Sequence, residues 1–412
     1  MLDIKFIREN IDLVDKNNKS RNVIVDLNTL VILDDERSAL LKKIESLRAE
    51  RNQASKSKPS DEEIAKMKII GNEISDLEKS LKKIDDELNA LLIKIPNIND
   101  STTPFGKDDS ENVVIKTIGN KPNFKFQPTE HFDVKSAKLG IDMERGAKVS
   151  GSRFYYLKGK IAQLERAIMQ YSLDFMVNKG FELVLPPVLV KEEAMYGTGF
   201  FPADKNEIYN VNPSEDNLYL IGTSEVSLVY MHSNEVFDEQ ELPKKYIAIS
   251  PCFRRESGSY GKDTKGLFRV HQFYKAEMVI FCTPDQSAKI HEELLQYEEE
   301  LISSLGIHYQ VVNVCTGDLG FPASKKYDCE GWFAGQGRYR ELTSTSNTTD
   351  YQARRSNIKM KNKEGKRLFL HTLNGTVSSD RPMLAIIENN QNENGNILVP
   401  EVLKKYLGFD II

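Results

Sequence analysis

The stretch from Lys245 to Cys282 constrains the fold more than any other part of the chain, because it alternates with period two at both ends. Its outer parts are rich in β-branched and aromatic residues, and its middle, SGSYGKDTKG, is small and polar. This pattern predicts a long antiparallel hairpin whose alternate side chains share a face. One such face carries Arg254 and Glu256, and another carries Arg269, His271, Phe273, Lys275 and Glu277.

Two interpretations are open for these charged faces. Ionised groups are rarely buried unless they are paired, so one interpretation is a solvated sheet face crossed by salt bridges. The other is a binding site, because Arg254 and Glu256 are two residues apart and suit a phosphate and the amino-bearing edge of a ring. In that case Phe273 supplies a stacking surface.

Two heptad runs nearer the N-terminus predict an antiparallel helical hairpin. They are separated by KSKPSDE, where Pro59 and Ser60 end the first helix. Each helix would extend roughly 40–50 Å at about 1.5 Å per residue. The first run is Leu33, Arg37, Leu40, Ile44, Leu47 and Arg51. The second run is Ile70, Ile74, Leu77, Leu81, Ile84, Leu88, Leu91 and Ile95.

This helical arm has two possible roles. One is a coiled coil that joins two copies of the chain. The other is RNA binding, because the tip of the arm is basic and a rigid basic arm suits a phosphate backbone. Only Glu50 opposes the positive charges there. The basic residues of the tip are Arg48, Arg51, Lys56 and Lys58.

The composition and the linker bound the architecture. Pro96 ends the second heptad helix, and the polar, turn-rich segment PNINDSTTPFGKDDSEN follows, so we expect an arm at 1–100 and a second domain at 101–412. The net charge of −5 argues against a wholly basic nucleic-acid coat. No apolar run approaches a membrane span, and MLDIKFIREN lacks an apolar signal core. We therefore expect no membrane association and a cytoplasmic location.

The cysteines and histidines offer no metal or disulfide pattern. The cysteines are far apart and form no CxxC pair, and the six histidines are scattered. Buried free thiols are therefore expected in place of a disulfide framework or a zinc site. The four cysteines are Cys252, Cys282, Cys315 and Cys329.

Three further segments of the second domain carry candidate residues. A helix that ends at Gly180 precedes the predicted strand FELVLPPVLV, which is either an ordinary edge strand or part of an interface. Thr223 and Glu225 are expected on one strand face, either to receive an ammonium group or as a surface pair. Glu341 and Ser344, in YRELTS, either belong to a polar turn or offer hard oxygens for Mg²⁺ on a polyphosphate.

The segment CFRRESGSYGKDTKGLFRVHQFYKAEM closely resembles motif 2 of class II aminoacyl-tRNA synthetases, in the form seen in bacterial-type seryl-tRNA synthetases. MLDIKFIREN, LRAERN, LIGTSEVSLV, YRELTS and HTLNGTVSSDRPMLAIIENNQ are similar to other blocks of that family, in order, and the last resembles motif 3. The resemblance implies an α+β protein, in which an antiparallel coiled-coil arm precedes a class II catalytic domain with an antiparallel sheet flanked by helices.

The same resemblance implies an ATP-dependent ligase. Such an enzyme forms seryl-adenylate with release of pyrophosphate and then transfers serine to the 3′ end of serine tRNA, whose long variable arm lies on the helical arm. Two alternatives are a paralogue that activates an amino acid for a non-translational acceptor or a resistance role, and a non-catalytic RNA-binding protein with the same fold. The resemblance also implies a homodimer, built in part from the segment that contains Pro187.

Residue roles follow from the resemblance position by position. The expected ATP-binding residues are Arg254, Arg255, Glu256, Val270, Phe273, Glu341, Leu342, Thr343, Ser344 and Arg381. Arg254 and Arg381 are the expected catalytic pair, and Glu341 and Ser344 are the expected Mg²⁺ ligands. The expected serine-binding residues are Thr223, Ser224, Glu225, Glu277 and Thr376. Arg48 and Arg51 are the expected tRNA contacts.

The chain departs from the family pattern in two places. Ser224 stands where a small alanine is usual. The span from Gly375 to Arg381 is one residue shorter than usual and lacks a second glycine, with Val377 and Asp380 in place of small residues.

Overall fold

The computed structural model describes residues 1–54, 60–257, 263 and 265–412. These residues divide into two compact units, Met1–Pro96 and Asn97–Ile412. No helix within these ranges is long and apolar enough to cross a membrane. All four cysteines lie within them and are buried free thiols, as expected.

The first unit is helical. The helix predicted over residues 4–18 is two helices that meet at Asn10, where the backbone leaves helical geometry (φ −137°, ψ 40°). A longer helix then begins after Asp26, whose carboxylate accepts hydrogen bonds from the backbone N–H and hydroxyl of Thr29 at 3.0 and 2.7 Å. The bounds are α1 Ile4–Glu9, α2 Ile11–Ser20, α3 Leu27–Ala54 and α4 Asp61–Leu92.

The predicted antiparallel coiled coil is confirmed in α3 and α4. Its buried centre is formed by Ile44, Ile70 and Ile74, all heptad positions. Ion pairs join the two helices, and the residue number falls along α4 as it rises along α3: Arg37 to Asp85 at 2.6 Å, Lys43 to Glu73 at 2.8 Å, and Glu50 to Lys66 at 2.6 Å. The turn with Lys56, Lys58 and Pro59 lies outside the described residues.

The second unit mixes helices and strands. Its helices are α5 Lys135–Gly140, α6 Met143–Ser150, α7 Gly159–Asn178, α8 Glu192–Thr198, α9 Glu225–Tyr230, α10 Ser287–Ser304, α11 Tyr351–Ser356, α12 Asp380–Asn389 and α13 Glu401–Leu407. Its strands are β1 Val113–Ile118, β2 Ile141–Asp142, β3 Tyr156–Leu157, β4 Glu182–Val184, β5 Leu189–Val190, β6 Asn210–Val211, β7 Leu218–Leu220, β8 Val236–Asp238, β9 Lys244–Phe253, β10 Gln272–Cys282, β11 Tyr309–Asn313, β12 Lys325–Phe333, β13 Arg338–Asn347, β14 Lys359–Lys361, β15 Arg367–Phe369 and β16 His371–Ser379.

One large sheet carries the unit. Among the described residues it has eight strands in the order β1-β11-β12-β13-β16-β10-β9-β4, and every pair in it except β4–β9 is antiparallel. The predicted hairpin is its β9–β10 pair, with Phe273 opposite Cys252 and Glu277 opposite Ala248. Residues 258–262 and 264 of its connection lie outside the described part. Helices α7, α10 and α12 contribute to the main apolar core of the sheet.

The strand FELVLPPVLV is divided into β4 and β5. Its two prolines, Pro186 and Pro187, lie between them and have no N–H to donate to a ladder. The helix before it ends as predicted, since Gly180 has φ +85° and its N–H donates to the carbonyl oxygen of Val177 at 3.0 Å.

The strand predicted for Thr223 and Glu225 is wrong. Glu225 is the first residue of α9, and the Thr223 hydroxyl accepts from the Glu225 N–H at 3.2 Å. A threonine that caps the backbone in this way favours a helix start over a strand. The two side chains therefore approach the sheet from a helix terminus.

The turn predicted in the motif 3 segment is also wrong. Gly375 lies inside β16, and the strand passes directly into α12 between Ser379 and Asp380. Val377 forms a β-bulge, because Ala276 pairs with Ser378 while the next residue of β10 pairs with Thr376. The shortened segment is thus accommodated without a loop.

Candidate active site

Motif 2 residues leave the sheet where β9 ends. Glu256 has φ +50°, so the backbone turns away from the strand at this residue. Arg254 remains fixed against the other strand, because its N–H donates to the carbonyl oxygen of His271 at 3.1 Å. Its guanidinium lies 5.4 Å from the ring centre of Phe273, and Glu256 accepts from Arg269 at 3.2 Å. The predicted pair thus lies beside the predicted stacking ring.

The predicted residues gather in two adjoining cavities. We call the first, of about 80 Å³, the arginine cavity, because it is lined by both Arg254 and Arg381. Its other lining residues include Glu256, Val270, Phe273, Glu341, Leu342, Ser344 and Thr376. We call the second, of about 200 Å³, the carboxylate cavity, and its lining includes Thr223, Glu225 and Glu277. Both cavities are lined by Arg254, Lys275 and Ser344.

A β-bulge brings Glu341 and Ser344 to one cavity. They are three residues apart, and strict alternation would point them to opposite faces. The pairing of β13 with β12 shifts at this point, since Thr343 pairs with Cys329 while Glu341 pairs with Glu330, so that Leu342 is the extra residue. Glu341 and Ser344 then both line the arginine cavity.

Glu341 is held ionised by the surrounding cations. Burial alone would raise the pKa of its carboxyl, but Arg381, Lys326 and Arg254, in that order, outweigh burial and lower the pKa to about 2. Arg381 donates to the backbone oxygen of Glu341 at 2.9 Å and lies 3.1 Å from its Oε1. The Arg381 guanidinium also lies 4.6 Å from the ring centre of Phe268. These contacts fix a cation and a carboxylate side by side.

Glu277 is the buried acid of the carboxylate cavity, with 2% of it exposed. Its Oε2 lies 2.7 Å from the ammonium nitrogen of Lys275 and accepts from the Thr376 hydroxyl at 3.1 Å. The bulge at Val377 accounts for the second contact, because it brings Thr376 opposite Glu277. The site therefore presents a paired carboxylate and a hydroxyl together.

Glu225 is a second buried acid, and it is nearly neutral in electrostatic character. Its Oε1 accepts from the amides of Gln352 and Asn374 at 2.7 and 2.9 Å. Burial, followed by the charge of Glu277, raises the pKa of Glu225 to about 7, against the opposing effect of Lys275. A bound ammonium group would reverse that shift by favouring the ionised form.

Three predicted residues have side chains that are absent from the lining of both cavities. Arg255 lines a separate cavity beside Tyr209, and its N–H donates to the backbone oxygen of Glu207 at 2.8 Å. Thr343 is buried and donates to Glu298 at 2.8 Å. Ser224 is fully buried. Any contact of these three with a ligand would have to come from the backbone.

Sequence reasoning did not select several residues of the site. Lys275 lies two residues before Glu277 on the predicted face, so period two was a sufficient signal for it. Phe268, which stacks on Arg381, follows the glycine-rich connection without a distinguishing pattern. Gln352 and Asn374 reach Glu225 from 127 and 149 residues away. No local pattern identifies such partners.

The sheet, motif order and arginine cavity define a class II aminoacyl-tRNA synthetase. The tRNA synthetase class II core domain (G, H, P, S and T) matches residues 209–390, and the seryl-tRNA synthetase N-terminal domain matches residues 1–99. A prolyl-tRNA synthetase from Giardia lamblia, 17% identical, shares the fold with a TM-score of 0.60 over 68% of this chain and 56% of that one.

The chain belongs to the seryl-tRNA synthetase family. A serine–tRNA ligase of Rubrobacter xylanophilus is 42% identical over 421 residues, covering 100% of this chain and 99% of the relative. The seryl-tRNA synthetase of Pyrococcus horikoshii, solved with ATP, is 40% identical with a TM-score of 0.92, covering 100% and 99% of the two chains. The cytoplasmic serine–tRNA ligase of Naegleria fowleri, solved with AMP, is 33% identical with a TM-score of 0.87, covering 100% and 98%.

Proposed function

We propose that this chain is an ATP-dependent serine–tRNA ligase. It joins serine and ATP to seryl-adenylate with release of pyrophosphate, and then transfers serine to the 3′ end of serine tRNA. The observation that carries the proposal is the shared wall of the two cavities, formed by Arg254, Lys275 and Ser344. A triphosphate in the arginine cavity and an amino acid in the carboxylate cavity would meet at this wall.

ATP would occupy the arginine cavity. Its adenine would stack on Phe273 while Glu256 accepts from the exocyclic amine, and Arg254 and Arg381 would bind the triphosphate. Val270 and Leu342 line the same cavity. This assignment uses side chains that are already held by neighbouring residues, so little reorganisation is needed when the nucleotide binds.

The donor set of Glu341 and Ser344 fits Mg²⁺ on a polyphosphate. A carboxylate held ionised, with its pKa near 2, and a hydroxyl on the same face offer two hard oxygens. No group of three or more histidine, cysteine, aspartate or glutamate side chains in the described part of the chain suits a metal, as expected for an ion whose remaining ligands are phosphate oxygens and water. When bound, the ion would neutralise phosphate charge.

Serine would occupy the carboxylate cavity. Thr223 and Glu225 would receive its ammonium group, and Glu277 with Thr376 would hold its hydroxyl. In the first step a serine carboxylate oxygen forms a bond to the α-phosphorus of ATP, and the bond from that phosphorus to the bridging oxygen breaks, so that pyrophosphate leaves. In the second step the ribose hydroxyl at the tRNA 3′ end attacks the serine carbonyl carbon, loses its proton, and displaces AMP.

Little acid–base chemistry is required of the protein in the first step. The serine carboxylate is already an anion, so positioning and charge stabilisation carry the reaction. Arg254 lines both cavities and would therefore lie near the carboxylate and the α-phosphate together. Its cation would offset charge as the two substrates approach.

Amino-acid-dependent pyrophosphate exchange with each of the twenty amino acids tests the proposal, followed by charging of total tRNA with the amino acid that supports exchange. We expect exchange with serine and charging of serine tRNA. Exchange without charging would indicate a paralogue with another acceptor. Absence of exchange with every amino acid would contradict an enzymatic function.

The apparent affinity for serine is expected to fall at low pH. Because the pKa of Glu225 is raised to about 7, the residue is protonated below that pH and must lose its proton to pair with the serine ammonium. KM for serine should therefore rise about tenfold per pH unit below about pH 7 and level off above it. Exchange assays from pH 5.5 to 8.5 measure this.

The matched control is Glu225→Gln, which keeps the side-chain volume and the possibility of hydrogen bonds to Gln352 and Asn374. This variant should have a high KM for serine at every pH and no inflection near pH 7, while its KM for ATP follows that of the unaltered enzyme. An inflection that persists in Glu225→Gln would assign the titration to another group.

The helical arm is proposed to bind the long variable arm of serine tRNA. Arg48 lies on α3 with 54% of its side chain exposed and pairs with Glu78 across the coiled coil at 2.7 Å, and Arg51 lies one turn further along. We expect Arg48→Ala with Arg51→Ala to raise KM for tRNA about tenfold and to reduce the salt dependence of binding, since phosphate contacts release counterions. Filter binding and charging assays measure both quantities.

Pyrophosphate exchange needs no tRNA and should be unchanged in this double variant. Lys82→Ala with Lys83→Ala removes the same charge from exposed positions of α4 about twenty residues from the start of that helix, and it should leave KM for tRNA within twofold. Equal losses in the two double variants would indicate that the arm contributes general positive charge and no defined contact.

The active form is proposed to be a cytoplasmic homodimer. Large apolar side chains at the end of α7 and along the following segment are exposed, including Val177, Leu183 and Leu185, the last by 79%. Exposed apolar groups clustered in this way favour a protein interface. Sedimentation equilibrium should give twice the chain mass; a single-chain mass at assay concentrations would contradict the dimer.

A further inference from the structure

Asp380 is a buried carboxylate, next to Arg381, for which the reaction above has no use. It is the first residue of α12, and 3% of it is exposed. Its Oδ1 accepts from the backbone N–H of Tyr274 at 3.0 Å, and its Oδ2 accepts from the hydroxyl of Tyr155. Asp380 thereby joins the start of α12 to β10, at the strand position between two residues of the arginine cavity.

Glu165 of α7 lies beside Asp380 in the same buried region. It is 6% exposed, and neither of its carboxyl oxygens receives a hydrogen bond from the described residues. Burial, followed by the charge of Asp380, raises the pKa of Glu165 well above its usual value. A proton on Glu165 resolves both the repulsion and the missing partner, because the protonated acid donates to Asp380.

We infer that Asp380, Glu165 and Tyr155 form a positioning cluster that sets Arg381 for the triphosphate of ATP. The inference rests on the proposed function. It is argued from three donors that converge on one carboxylate: a backbone N–H from β10, a tyrosine hydroxyl, and the acid of α7. Each donor comes from a different part of the fold, so together they fix Asp380 in three dimensions.

Arg381 takes its place from Asp380 through the first turn of α12. Its backbone N–H donates to the Ser379 hydroxyl at 3.3 Å, and its guanidinium donates to the Glu341 backbone oxygen at 2.9 Å. A displacement of the helix start would therefore move the guanidinium out of register with Glu341. Misplacement of about 1 Å in such a group is sufficient to lower a rate about 10²-fold.

The shortened motif 3 segment makes this support necessary. The ladder between β10 and β16 ends with Lys275 opposite Ser379, and α12 begins at the next residue without a loop. The Asp380 side chain then accepts from the N–H of Tyr274, the residue of β10 that precedes Lys275. The carboxylate thus extends the connection between the strands by one further hydrogen bond, where the backbone ladder has already ended.

Replacement of Glu165 tests the inference by separating its donor function from its volume. Glu165→Leu removes the donor and should raise KM for ATP about tenfold in serine-dependent pyrophosphate exchange, with KM for serine within twofold. Glu165→Gln keeps a donor to Asp380 and should keep KM for ATP within twofold. Rates are divided by the number of active sites counted from the adenylate burst, so that loss of folded enzyme does not enter.

Two further variants guard against a purely structural effect. Met169→Leu, one turn further along α7 and 4% exposed, should leave both KM values unchanged. Tyr155→Phe removes another donor to Asp380 and should raise KM for ATP about threefold, which provides a test if Glu165→Leu fails to fold. Thermal unfolding of each variant reports stability separately.

Three outcomes would overturn the inference. KM for ATP per active site could stay unchanged in both Glu165→Leu and Tyr155→Phe; Glu165→Gln could be as impaired as Glu165→Leu; or KM for serine could rise as much as KM for ATP. Absence of exchange in the unaltered enzyme would instead count against the proposed function. In that event, calorimetric binding of α,β-methylene-ATP to the same variants tests the cluster independently of catalysis.

Discussion

Arg381→Ala is expected to lower kcat/KM for ATP in serine-dependent pyrophosphate exchange by about 10³-fold. The Arg381 guanidinium is held before any nucleotide arrives, by the backbone oxygen of Glu341 at 2.9 Å and by the ring of Phe268 at 4.6 Å. A preorganised cation stabilises the charge that develops on the leaving pyrophosphate without further reorganisation. Exchange rates at varied ATP and saturating serine measure the loss.

Arg381→Lys separates the charge of the side chain from its shape. Lysine keeps the positive charge but lacks the planar fork of donors, so it should recover about tenfold of the lost activity. Arg367→Ala removes an exposed arginine from β15 and should leave exchange within twofold. Complete recovery by lysine, or an Arg381→Ala enzyme within tenfold of the unaltered one, would exclude the proposed contact with the triphosphate.

The sequence predicted the parts of this protein that repeat with a local period. The β9–β10 hairpin follows from period two between Lys245 and Cys282, and the coiled coil follows from heptads at positions such as Ile44 and Ile70. In both cases the apolar pattern along one segment is enough to fix which face is buried. The hairpin also assigned Phe273, Lys275 and Glu277 to one face, and these residues line the adjoining cavities.

The bulges escaped prediction because they are properties of strand pairing. Leu342 and Val377 are each one residue in excess of the neighbouring strand, and nothing in YRELTS or NGTVSS marks the extra residue. Each bulge changes which side chains share a face, and it is this change that brings Ser344 to the side of Glu341. Strict alternation from the sequence therefore fails at the positions where the candidate site is assembled.

The helix start at Glu225 was missed for a different reason. The segment containing Thr223 and Glu225 alternates briefly and favours a strand, but the Thr223 hydroxyl caps the backbone of Glu225, and local capping overrides a two-residue alternation. The partners that bury Glu225, Gln352 and Asn374, come from α11 and β16. Tertiary contacts of this kind set the pKa of the acid, and no single segment encodes them.

Glu277→Ala is expected to lower kcat/KM for serine by about 10³-fold and to remove most of the preference for serine over alanine. Glu277 is 2% exposed, and Lys275 and Thr376 contact its Oε2. A buried polar site built around a hydroxyl rejects a substrate without one, because alanine would leave the site's polar groups without a partner. Exchange with serine and with alanine in parallel gives both the rate and the preference.

Two variants distinguish loss of recognition from loss of the pocket. Glu277→Gln keeps the volume but not the charge, so Lys275 loses its ion pair while a hydrogen-bonding group remains for the serine hydroxyl; its preference for serine should fall less than that of Glu277→Ala. Thr376→Val removes one hydroxyl and should lower the preference about tenfold. If Glu277→Ala folds with an unchanged unfolding temperature and keeps both serine activation and the preference over alanine, the hydroxyl is bound elsewhere, and the carboxylate cavity is not the serine site.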